Sequence, residues 1–264
     1  MDIKQETGPC NNFLIRDRIE NLFNYRFPKI DVIVCCSGST VPATSNDDIR
    51  YDVQTNLLSM ITVFEYAKKF GVPKIIFLSS GGAVYGNPLY LPIDESHPTS
   101  PITSYATTKL AVESYARLYS ALYGIQVVSL RLANVYGKNQ KSRRQGIIPI
   151  FIGKMKLGEE ITLYGDGSGV RDYVHVDDVC DAIVKAMSAG LGRFEIVNIG
   201  TGIGTSTLDV VRTISRIVGV RPKIRFMPAR PTDLRVNVLD VSYAAKALGW
   251  RPATPLEEGI RRCV

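Results

Sequence analysis

Tyr105 and Lys109 stand four residues apart in Ser104-Tyr-Ala-Thr-Thr-Lys109. On a helix that spacing puts a phenol and an ammonium on one face. An ammonium held near a phenol favours the phenolate, lowers its pKa from about 10, and makes a usable general base. The pair is not selective by itself, because Tyr25 and Lys29 repeat the spacing with Pro28 between them, which forbids an uninterrupted helix. Two glycine clusters could approach phosphates. Gly200-Thr-Gly-Ile-Gly204 follows an apolar run, but its spacing is GxGxG and no acidic residue lies about 20 positions on. It reads as a strand-to-helix turn with Thr205 or Ser206 capping the helix. Ser79-Ser80-Gly81-Gly82 closes a strand at the end where open α/β sheets bind ligands. The two histidines, His97 and His175, and the five scattered cysteines offer no ligand set, so no metal is expected.

The elements that must position these groups follow an alternating rhythm. Ile30 to Cys36, Lys74 to Ser79 and Val127 to Leu132 are apolar strand runs. Helical stretches near Asp47 to Phe70 and Ser104 to Tyr123 lie between them, ended by Gly71 and Gly124. Ala106, Leu110, Leu118 and Leu122 form the expected buried stripe of the second helix. Ile15 to Phe23 is a possible short helix. Strands apolar throughout and alternating with helices predict a parallel sheet covered on both faces. After Asn134 the rhythm breaks. A helix near Ile147 to Leu157 and a strand Ile161 to Tyr164 precede the glycine-rich stretch Gly165 to Gly169, where a second, smaller lobe begins. Further alternation runs through 177–187 (helix), 194–199 (strand), 208–218 (helix), 223–227 (strand) and 243–248 (helix).

The chain has 264 residues with 45% hydrophobic and 22% charged, which excludes disordered and collagen-like classes. Its longest apolar runs fall far short of the roughly 20 residues of a membrane span. An odd number of scattered cysteines fits a reducing cytoplasm better than a disulfide framework. The net charge of +7 admits an anionic partner. Its one dense cluster, Lys138, Lys141, Arg143 and Arg144, has no interleaved aromatics, which argues against nucleic acid. It reads as a solvated loop, with a phosphate-bearing small molecule the next choice.

The order of motifs is more informative than any one of them. After a strand come Ser79-Ser-Gly-Gly82, Val84-Tyr-Gly86, Pro92-Ile-Asp-Glu95 and Tyr105-xxx-Lys109. Arg131-Leu-Ala-Asn134-Val-Tyr-Gly137 and Gly165-Asp-Gly-Ser-Gly-Val-Arg171-Asp-Tyr-Val-His175-Val-Asp-Asp178 follow. Over about residues 30–260 this series resembles the NAD-dependent epimerase/dehydratase family, the extended short-chain dehydrogenases/reductases, and among them the UDP-glucose 4-epimerase-like enzymes. The resemblance implies a Rossmann-like parallel sheet with a smaller C-terminal sugar-nucleotide-binding lobe. Residues 1–137, with about 175–200, would form a partial NAD-binding domain, and 138–264 mostly the substrate lobe. It implies NAD as cofactor and 4-epimerisation of a UDP-hexose through a 4-keto intermediate. Tyr105 would be the base, Lys109 would bind the nicotinamide ribose, and Ser80 would stand near the sugar hydroxyl. Ser37, Gly38, Thr40, Asn56 and Ser79 would join them on the cofactor side. Asn134, Arg171 and Arg230 would meet the sugar diphosphate, with Asp233 on a ribose hydroxyl. Helices 47–70 and 104–123 would pair two copies through a four-helix bundle. Two departures accompany the resemblance. The family's opening strand with GxxGxxG is not in this sequence, which implies an N-terminally truncated member, and the usual hydroxyl positions read Gly81 and Ala83. The rival readings are an inactive sugar-nucleotide-binding remnant, separable by assaying bound NAD, and a 4,6-dehydratase or reductase of the same family. A dehydratase places an Asp-Glu pair where this chain has Gly81-Gly82.

Overall fold

The computed structural model describes residues 4–7, 11–14, 19–24, 27, 29–140, 145–230 and 233–264. In chain order the elements are β1 Lys4–Thr7, β2 Asn11–Leu14, a 3-10 turn Ile19–Asn24, β3 Val32–Cys35 and α1 Ile49–Asp52. A π-helical segment, Val53–Leu58, runs on into α2 Ser59–Phe70, followed by β4 Lys74–Ser80, α3 Ser104–Tyr123, β5 Gln126–Leu132 and β6 Asn134–Tyr136. Then come α4 Ile147–Lys156, β7 Glu160–Tyr164, β8 Val170–His175, α5 Val176–Ser188, β9 Phe194–Ile199 and β10 Gly204–Ser206. The chain ends with α6 Thr207–Val218, β11 Lys223–Met227, β12 Val236–Asn237, α7 Ser242–Leu248 and α8 Leu256–Cys263.

The central sheet is parallel, in the order β3-β4-β5-β9. Its strands are apolar on both sides because both faces are covered. Ile75 and Phe77 of β4 point into a core with Val63, Phe64 and Ala67 of α2 and Val112 and Ala116 of α3. Ile76 points the other way, toward Val179, Ala182 and Ala186 of α5 and toward Trp250. This alternation with period two sorts one strand between two layers. A third core joins α4, α6 and α8 over β7, with Ile148, Phe151, Ile161, Val210, Ile214 and Ile260 buried in it. That core builds the smaller lobe beside the parallel pair β7-β11.

Three expectations need correction. The first long helix starts at Ile49, with Asp48 accepting from the Tyr51 amide at 2.9 Å, and it widens at Val53–Leu58. The cause is Asn56, whose side-chain amide reaches the Asp52 carbonyl at 3.2 Å and enters the helical ladder. On α3, Ala106 is buried, but Leu118 and Leu122 are 47% and 62% exposed; the inward stripe is Ala106, Lys109, Val112, Glu113, Ala116 and Tyr119. Of the possible helix Ile15 to Phe23, residues 19–24 form a 3-10 turn and 15–18 lie outside the described residues, as do Lys141, Arg143 and Arg144 of the basic cluster.

The Gly200–Gly204 turn seats a carboxylate of the chain itself. Asp172, fully buried on β8, accepts from the Thr201 amide at 2.8 Å, the Thr201 hydroxyl at 2.6 Å and the Gly202 amide at 3.0 Å. A Cβ on Gly200 would lie 2.4 Å from its Oδ2, so only glycine fits there. Ser206 is the cap of α6, accepting from the Asp209 amide at 3.1 Å.

Candidate active site

The C-terminal ends of β3, β4 and β5 and the first turns of α3 converge on one place. Thr103 starts α3 by accepting from the Ala106 amide at 3.3 Å, and the Tyr105 amide donates to the buried Ser45 hydroxyl at 3.1 Å. Tyr105 and Lys109 therefore share the face turned to the end of β4. Lys109 is buried, and its Nζ donates to the Leu78 carbonyl at 2.8 Å. The ammonium lies 4.7 Å from the Phe77 ring centroid and 5.6 Å from that of Tyr105. The Ser80 side chain lies close enough to the Tyr105 phenol to lower its pKa. Ser80, Tyr105 and Lys109 are thus brought together.

The electrostatics differ from the expectation. Burial pushes the Lys109 pKa down to about 8. Burial also raises the Tyr105 phenol, against the lowering effect of the Ser80 side chain, with Asp52 adding to the rise. The expected lowering of the phenol is not seen, because removal from water outweighs the neighbouring hydroxyl.

Ser79 faces the interior, as strand alternation requires of the neighbour of Ser80. Its hydroxyl donates to Glu113 at 2.7 Å, beside Ser129 Oγ at 2.9 Å and the Arg131 guanidinium, whose Nε and Nη2 reach Glu113 at 3.0 and 2.6 Å. The Ser79 hydroxyl is committed to a buried ion pair behind the site. Ser37 and Gly38 are exposed on the loop after β3. Asn56 shapes that loop, accepting from the Ser39 amide at 3.1 Å and donating to Thr40 Oγ1 at 2.9 Å. Gly81 leaves no space for a side chain, since a Cβ would sit 2.7 Å from Leu239 Cδ1 and 2.9 Å from the Arg131 carbonyl.

Of the residues expected on the substrate side, Arg171, Arg230 and Asp233 lie within electrostatic reach of one another. Arg230 forks onto Asp233, with Nε and Nη2 at 3.1 and 2.9 Å, and stacks 4.3 Å over the Tyr164 ring. Arg171 feels the charges of Asp233 and Arg230, while its Nη1 donates to the Val170 carbonyl at 2.8 Å. Asp233 is thus paired with Arg230 while remaining partly exposed. Asn134 is the strand partner of Tyr173, and its Oδ1 would lie 3.4 Å from a Cβ on Gly82, so it bridges toward the end of β4.

The reading of residue types missed Asp52. It is fully buried and accepts from Ser104 Oγ at 2.7 Å, Thr108 Oγ1 at 2.6 Å, Asn56 Nδ2 at 3.0 Å and the Thr40 hydroxyl. An Asp four residues before Asn56 on one helix face was the available signal.

A parallel sheet with a tyrosine and a lysine at its C-terminal edge, beside a lobe bearing clustered arginines, is the architecture of a short-chain dehydrogenase/reductase-type enzyme. Residues 12–200 match the model of the NAD dependent epimerase/dehydratase family. The chain is 38% identical over 266 residues to the "Putative UDP-glucose 4-epimerase" of Methanocaldococcus jannaschii, covering 99% of this chain and 85% of the relative. Two solved structures are similar at 35% identity. One is the Thermotoga maritima UDP-glucose 4-epimerase with UDP-glucose (TM-score 0.88, 93% of this chain and 79% of that one). The other is the Thermus thermophilus UDP-glucose 4-epimerase in complex with NAD (TM-score 0.85, 94% and 81%). The chain belongs to the NAD dependent epimerase/dehydratase family.

Proposed function

We propose that this chain is an NAD-dependent 4-epimerase of a UDP-hexose, and the Ser80-Tyr105-Lys109 cluster at the sheet edge carries the reading. Tyr105 takes the proton of the sugar 4-hydroxyl and returns it to the 4-keto oxygen, with the Ser80 hydroxyl aligning that exchange. The chemistry that NAD would supply here when bound is the reversible acceptance of the hydride at the sugar C4. The nicotinamide-ribose half of the cofactor fits the described residues: Lys109 spends one N–H on Leu78 and keeps two donors for ribose hydroxyls, below the loop of Ser37, Gly38 and Thr40. Ser80 serves in place of the hydroxyl expected at 81 or 83, because Gly81 admits no side chain and Ala83 is buried.

Arg171, Arg230, Asn134 and Asp233 support recognition of the UDP diphosphate and ribose, guanidinium forks being suited to phosphate oxygens. The glycine pair at 81–82 disfavours a 4,6-dehydratase, which needs a carboxylic acid there. The exposed Tyr115, Leu118, Leu122 and Tyr123 of α3, with Leu58 and Phe70 on the neighbouring helix, support a homodimer through a four-helix bundle. Cys35, Cys36, Cys180 and Cys263 are free, in keeping with a reducing cytoplasm.

The test is turnover of UDP-glucose, UDP-galactose and their N-acetyl forms with added NAD. Tyr105→Phe should lower kcat by about 10²- to 10⁴-fold while leaving the helix packed. An unchanged rate would show that Tyr105 is not the base.

A further inference from the structure

We propose that Asp52 is the positioning residue of this site, its carboxylate locking the turn that carries Tyr105 to the cofactor-side loop; the proposal rests on the epimerase reading above. Asp52 Oδ2 holds Ser104 and Thr108 at 2.7 and 2.6 Å, the residues one before and three after Tyr105. They bracket Tyr105 on one helical turn, so together they set both its height and its rotation. Oδ1 holds Asn56 at 3.0 Å and the Thr40 hydroxyl, and Asn56 in turn holds the Ser39 amide at 3.1 Å. One carboxylate therefore ties α1, the loop 39–40 and the first turn of α3.

The chemistry of the contacts argues against simple space filling. All four donors to Asp52 are neutral, and among the described residues no ion pair includes it. Burying a carboxylate without a cation is costly, and only a full set of oriented hydrogen bonds offsets it. Such a set fixes directions, which an apolar side chain of the same size would not do. Lys109 lies within electrostatic reach, so the charge also helps retain the ammonium beside Tyr105. The π-helical segment that follows Asp52 brings Asn56 back onto the same carboxylate.

The test compares Asp52→Ala and Asp52→Asn with wild type, with NAD added throughout. Misplacing a catalytic group by about 1 Å can cost on the order of 10²-fold. Asp52→Ala should lose at least about tenfold in kcat with the UDP-glucose KM kept within about twofold, and Asp52→Asn, which retains an acceptor oxygen, should recover most of it. Backbone amide exchange should quicken only in 39–41 and 104–109. Unchanged kcat, or kcat and UDP-glucose affinity falling together with exchange rising across the chain, overturns the proposal; should Asp52→Ala not fold, Asp52→Asn decides by the same criteria. If wild type turns nothing over, the epimerase reading fails and exchange alone judges Asp52: confined quickening supports the lock, and unchanged or chain-wide exchange refutes it.

Discussion

Removing one partner of the Glu113–Arg131 pair should unfold this protein much more readily than removing both. Both side chains are 5% exposed, and Glu113 accepts from Arg131 twice and from Ser79 and Ser129. In Glu113→Ala the guanidinium stays buried with no counter-charge, a loss of about 3–5 kcal/mol. The Ser79 and Ser129 hydroxyls lose their acceptor as well, so the upper half of that range applies. At about 2–4 °C per kcal/mol for a chain of this size, a loss of about 4 kcal/mol lowers Tm by about 8–16 °C. Glu113→Met with Arg131→Met removes both charges at similar volume and should cost less than the single change. The expected coupling is about 2 kcal/mol or more. Urea titration with an unchanged m-value measures it. A single-variant loss below about 1 kcal/mol, or a double variant equal to the sum of the singles, would refute the claim that the pair is a desolvated charge network.

The Lys109 pKa near 8 gives two pH effects of known sign. The charged side chain is lost as pH rises through 8, so kcat should fall on the alkaline side, and Lys109→Arg, charged throughout, should flatten that limb. The folded chain also binds this proton more weakly than the unfolded one, so the Lys109 contribution to stability should increase between pH 8 and the ordinary value of 10.5, measurable by urea titration across that window. On the substrate side, Arg171→Ala should weaken UDP binding by about 1.5–3 kcal/mol, roughly 10- to 150-fold by calorimetry. Equal affinity would remove Arg171 from the diphosphate site.

The central sheet was legible because its strands carry runs of consecutive apolar residues, such as Ile75 to Leu78 and Val127-Val128, and Tyr105 with Lys109 because helical spacing aligns them before any tertiary contact is known. β8 was not legible: Arg171, Asp172 and His175 interrupt its apolar pattern, and Asp172 and His175 are buried. Asp52 was hidden for a related reason, since its partners Ser104 and Thr108 lie 52 and 56 residues away. Leu118 and Leu122 were misassigned because apolar spacing marks a face to be covered without saying whether the chain itself covers it. Ser79 could have been separated from Ser80 by strand alternation alone, which sends neighbouring hydroxyls to opposite sides of the sheet.

The turn after β9 has the amide donors of an anion receptor, but its anion is Asp172, supplied by the chain. A phosphate-filled turn tightens only as its ligand saturates it, so its rigidity follows metabolite supply. Here the guest is tethered at fixed stoichiometry and cannot be washed out, diluted or outcompeted by cellular phosphate. The join between the central sheet and β8 is accordingly held by the chain's own carboxylate.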